Sequence, residues 1–101
     1  MTDYTAKHRI FSVPEKRDSI EVCGDKFEVR ELSAYERGQL IEMRDNPTLA
    51  QAYIVCCAVD GLDPDTDTDE VYSSVAGHVV QLIADKVLEL SGLGEDDEKN
   101  D

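Results

Sequence analysis

Three aspartates at alternate positions, Asp63, Asp65 and Asp67, come nearest in this chain to the spacing of a chemical site. They share the D-x-D-x-D opening of a calcium loop, in which hard oxygen ligands converge on the ion. The rest of that pattern is missing: the sixth position is Thr68 instead of glycine, and the twelfth is Ser74 instead of a bidentate glutamate. The expectation is therefore no metal site. Residues 60–70 read as a solvated acidic loop ahead of a helix, with Thr68 or Asp67 as its cap and negative charge favoured at the helix start. The thiols offer no better chemistry. Cys56 and Cys57 are adjacent inside an apolar run, and with Cys23 they make an odd number. They read as small buried hydrophobes of a reducing compartment, not as a disulfide or a redox pair. His8 and His78 are the two side chains suited to be neutral-pH bases, and neither has a recognisable partner motif. Serine elbows, glycine-rich phosphate loops and Cys-x-x-Cys pairs are absent from the sequence. No catalytic, cofactor or metal residue is assigned, and a binding protein is expected instead of an enzyme.

Charge sharpens that expectation. The net charge of −13 is concentrated in two places: residues 60–70 carry six acids and no base, and residues 95–101 carry five acids and one lysine. Residues 1–59 hold ten acids against eight bases, so the body is nearly balanced. Such acidity argues against binding nucleic-acid phosphates. The opening MTDYTAKHRIFSV has no apolar run long enough for a signal peptide, and nothing approaches a membrane span. A soluble, intracellular protein with no membrane partner is expected. At 101 residues there is one core and modest burial, which leaves self-association open.

The element that must organise this core is Asn46 to Gly61. Asn46 is suited to cap a helix and Pro47 to occupy its first turn, while Asp60-Gly61 supplies the stop. From Ala52 to Val59 no charged or amide side chain occurs, and a helix apolar all round must be covered on several sides. Upstream, Ile20-Glu21-Val22 and Phe27-Glu28-Val29 alternate around Cys23-Gly24-Asp25-Lys26, which predicts a hairpin with Ile20, Val22, Phe27 and Val29 on its buried face. Ser33 and Glu36 match a capping box for a helix over 33–45. Leu40 and Met43 lie on one side of that helix, and Ala34, Gly38 and Ile41 on another. A small residue at Gly38 lets a neighbouring helix come close, although a tolerated surface glycine is the simpler reading. Steps of three and four from Val71 to Leu90 predict helices over 69–76 and 78–91, interrupted near Gly77 and closed by Ser91-Gly92-Leu93. Three segments result: a flexible arm over 1–18, a single globular domain over 19–93, and a disordered acidic tail over 94–101. The fold class is mainly α with a small N-terminal β-hairpin (α+β), a bundle of three to four short helices around a buried central one.

In its order of elements the chain resembles the tail assembly chaperones of long-tailed, siphovirus-like bacteriophages. The residues that carry the resemblance are the hairpin Ile20–Val29, Phe27-Glu28-Val29-Arg30-Glu31-Leu32-Ser33 entering a helix, and the apolar helix ending in Val59-Asp60-Gly61. The acidic turn Thr66–Glu70 and the closing Leu90-Ser91-Gly92-Leu93 complete it. The resemblance implies a protein of virion assembly, absent from the mature virion and acting in the cytoplasm of the bacterial host. It would keep the tape measure protein soluble and help tail tube protein assemble around it. It also implies a longer form made by ribosomal frameshifting; Glu98-Lys99-Asn100 permits the slippery run A-AAA-AAC. An apolar groove between helices would receive tape measure helices, with Tyr35, Met43, Tyr53 and Tyr72 as contacts. The rival reading is an acidic decoy that mimics DNA and inhibits a host nuclease or regulator. Ten of the 23 acids fall in 63–70 and 95–101 instead of being spread over folded faces, which counts against it. A small metal-regulated adaptor using Asp63–Asp69 is the third.

Overall fold

Two residues in a left-handed conformation set up the N-terminal half. The computed structural model describes residues 2–93. Cys23 (φ 54°) and Gly24 (φ 88°) form a two-residue turn joining β1 (Arg17–Val22) to β2 (Asp25–Arg30). Consecutive positive φ values match the right-handed twist of the strands they connect. The turn is tighter than the sequence suggested, since Asp25 and Lys26 already pair within the ladder. Antiparallel register sets Ile20 opposite Phe27 and Asp18 opposite Val29. The expected apolar face follows, with Val22 and Val29 buried and Ile20 and Phe27 packed against the core.

The central helix α3 (Pro47–Ala58) is capped as its sequence requires, the Asn46 side chain accepting from the Leu49 amide at 3.2 Å. Seven successive residues, Ala52 to Ala58, are buried. Seven residues span almost two turns, so no side of this stretch faces water. It is covered by α4 (Pro64–Ser74) and α5 (Gly77–Leu90), and the hairpin packs in turn on α5. Val59, leaving α3, bridges Val29 and ties the helix exit to β2. The fold is thus mainly α with a small hairpin, as expected.

Two elements depart from the sequence reading. Residues 1–18, expected as an extended or partly disordered arm, contain α1 (Thr2–Phe11), and β1 already begins at Arg17. Nothing between Ala6 and Phe11 breaks a helix, and the Ser12 hydroxyl donates to the carbonyls of His8 and Arg9 at 2.9 and 3.1 Å. Residues 7–15 are all exposed, so this part of the helix is not held by burial. Secondly, the acidic loop is mostly helix. Asp63, not Thr68 or Asp67, is the cap: it accepts from the Asp65 amide at 2.9 Å while Asp67 accepts from the Asp63 amide at 2.9 Å. Asp63-Pro64 repeats the cap-then-proline grammar of Asn46-Pro47. Thr68 turns inward, its hydroxyl donating to the Pro64 carbonyl at 2.7 Å. The interruption expected near Gly77 is a full break between two helices. Val75 and Ala76 are extended (ψ 140° and 135°), and α5 starts afresh at Gly77. The acidic tail over 94–101 lies outside the described residues.

Candidate functional site

A helix whose N-terminal end is bonded more firmly than its middle is packed lies between β2 and α3. This helix, α2 (Ala34–Glu42), has no buried residue. Its start is over-determined. The Ser33 hydroxyl accepts from the Glu36 amide at 3.2 Å, and Glu36 accepts from the Ser33 amide at 2.8 Å. Glu36 is also clasped by Arg30, whose two terminal nitrogens donate to its two oxygens at 2.9 and 2.8 Å. That bidentate pair holds the Glu36 carboxyl down at about 2, well below the usual carboxylate range. Just upstream, the Leu32 amide donates to the buried Ser91 hydroxyl at 2.9 Å, and that hydroxyl donates to the Val87 carbonyl at 2.8 Å. At the far end of α5, Leu93 returns to the Leu88 carbonyl at 2.8 Å across Gly92 (φ 77°), a Schellman closure. Anchored in this way, α2 sets Leu40 and Met43 against the core and leaves its other side free.

On that free side lies an open groove of about 650 Å³ lined by Ala34, Gly38, Leu40, Ile41 and Leu93, with Arg37 and Arg44 among its walls. Ile41 is 60% exposed. A methyl group added at Gly38 would meet nothing within 4 Å. Among the described residues neither arginine has an ion-pair partner, in contrast to Arg17, Arg30 and Lys86.

The four side chains expected to contact a partner are not gathered on this groove. Tyr35 stands exposed on α2 and accepts from the Gln39 amide at 3.0 Å. Met43 is half-buried at the end of α2. Tyr53 is buried in α3, and desolvation pushes its phenol pKa up; it is a core residue, because every face of α3 is covered there. Tyr72 is exposed on α4 and lines a separate small notch with Gln51, Val75 and Val80. The groove residues were nevertheless marked in the sequence by the i, i+4, i+7 spacing of Ala34, Gly38 and Ile41.

Acid–base, thiol and metal chemistry find little support. Burial pushes the Cys57 thiol up to about 12 and raises that of Cys56, so both stay protonated near neutrality; Cys23 is exposed in the hairpin turn. His78 is exposed at the start of α5. Helical geometry turns Asp65 to the side of α4 away from Asp63 and Asp67. Among the described residues no cluster of His, Cys, Asp or Glu could hold a metal ion. No helix among them is long and apolar enough to cross a membrane.

Fold and groove together define a small α+β domain with a preformed open apolar surface. Comparison with protein-family models, curated proteins and solved structures gives no match.

Proposed function

We propose that this protein is a tail assembly chaperone of a long-tailed bacteriophage, acting in the host cytoplasm without enzymatic activity. It binds the tape measure protein, keeps it soluble and assists assembly of tail tube protein around it, then is left out of the virion. The observation that carries this reading is the apolar groove on α2, a helix fixed at its N-terminal end yet without one buried residue. A tape measure is a long helical chain with apolar faces, prone to aggregate until covered, and a helix-in-groove contact is a direct way to cover it. The acids of α4 add a charged outer surface that favours solubility of the complex. Co-expression tests the proposal: the tape measure encoded beside this gene should stay soluble with the protein and precipitate without it. Equal solubility in both cases rejects it. The gene offers a second check, since AAG at Lys99 with no overlapping −1 frame excludes slippage at Glu98-Lys99-Asn100 and with it a longer form made there.

One observation favours the decoy reading more than the sequence did. The acids between Asp63 and Glu70 stand on an ordered helix, with Asp65, Asp69 and Glu70 exposed. Tight binding to a host nuclease, lost on neutralising those three carboxylates, would establish that role in place of the chaperone.

A further inference from the structure

Gly38 sits inside an exposed helix where alanine would be more stable by roughly 1 kcal/mol, and among the described residues nothing occupies the space a side chain would take. Ala34 lies one turn before it and Ile41 one turn after, so two small residues and one exposed apolar residue run along the groove floor. The small pair lets a second backbone approach closely. Arg37 on α2 and Arg44 in the turn just after it both line the groove, and neither is ion-paired among the described residues.

We propose that this groove is a docking site for one amphipathic helix of a partner protein, a helix with an apolar stripe flanked by two carboxylates. The apolar stripe covers Ala34, Gly38, Ile41 and Leu93, and the two carboxylates meet Arg37 and Arg44. Charge selects this occupant. A second copy docking α2 on α2 about a two-fold axis would bring two arginine-bearing walls together. That the helix belongs to a tape measure protein rests on the chaperone reading; the groove and its preference for carboxylates do not.

The test uses the full chain and two labelled helical peptides of about 20 residues, long enough to hold helix in water. Both carry a leucine–alanine stripe; one has two glutamates on its flank, the other two lysines. Anisotropy titration should give the glutamate peptide an affinity at least about tenfold above the lysine peptide, a difference of about 1.4 kcal/mol. Gly38→Leu should abolish that binding while its thermal unfolding midpoint stays at or above wild type. Arg37→Glu/Arg44→Glu should reverse the preference toward lysine. Equal binding of both peptides, no binding of either, or an unchanged affinity in Gly38→Leu overturns the proposal. So does a wild-type dimer that Gly38→Leu converts to monomer, which makes a second copy the occupant. Tighter peptide binding after neutralising Glu95, Asp96, Asp97 and Glu98 would make the chain's own tail the occupant and likewise overturn it. Failure of the two readings is distinguishable. A tape measure kept soluble by Gly38→Leu as well as by wild type rejects the groove and leaves the chaperone standing. A tape measure indifferent to wild type rejects the chaperone, and the peptides still decide the groove.

Discussion

Helices α2 and α3 are neighbours in the chain, both begin with a side-chain cap, and they meet opposite fates. In α3 seven successive residues are buried and the helix is held by its sides, under α4 and α5. In α2 no residue is buried and the helix is held by its N-terminal end. Polar bonds do the holding there: the Ser33–Glu36 box, the Arg30 clasp, and the Ser91 hydroxyl that joins the chain just before α2 to the end of α5. A helix fixed from one end can present a face without depending on that face for stability. This separation is what lets a docking surface exist on so small a domain.

The comparison is broken most violently by placing a charge in each helix. Ile54→Asp should unfold the domain, because it buries a carboxylate with no partner among apolar neighbours. Ile41→Asp, at a position 60% exposed, should leave the far-ultraviolet circular dichroism and the unfolding midpoint nearly unchanged. Similar losses in both variants would mean that α2 is as much part of the core as α3.

A smaller effect comes from acid. Glu36 has a folded value of about 2 against an ordinary 4.5, so its contribution is complete above pH 4.5 and is lost as the pH falls through 2. Partial exposure to solvent limits that contribution to about 1–2 kcal/mol. Denaturant titrations of wild type and Glu36→Gln should differ by this amount at neutral pH and converge in strong acid. A constant gap across that range would show that the clasp is not electrostatic.

Ser91→Ala should cost about 1–2 kcal/mol, since the buried Leu32 amide loses its acceptor. Amide exchange should accelerate at Leu32 and through α2 before it does in α3; uniform acceleration would argue against anchoring from the N-terminal end. Gly38→Ala is expected to stabilise by up to about 1 kcal/mol, through helix propensity in open space. Destabilisation there would reveal a contact within the domain. The smallest expected response is to calcium, for which calorimetry should record only weak, salt-sensitive heat. Saturable micromolar binding abolished by Asp65→Asn would restore the acidic segment as a metal site.

What the sequence by itself determined is the local grammar. The hairpin face, the Ser33–Glu36 box, Asn46-Pro47, the all-apolar run of α3 and the glycine closure at Gly92 were legible because each depends on residues a few positions apart. Helix α1 and the Asp63-Pro64 start were written in the same grammar. Pro14 and the density of carboxylates nonetheless suggest irregular chain in both places. Tertiary structure decided which faces were covered. Tyr53 and Tyr35 are both aromatic residues on helices, yet one is core and the other open to solvent, because α4 and α5 close over α3 and nothing described closes over that side of α2. The bond from Leu32 to Ser91 spans 59 residues, and no spacing rule could have paired them. The strip Ala34, Gly38 and Ile41 was visible as a helical face, but whether it met another helix or lay open depended on where the rest of the chain packed. Caps and turns are satisfied by immediate neighbours, whereas burial belongs to pairs of elements, and a pair does not exist until the chain has folded.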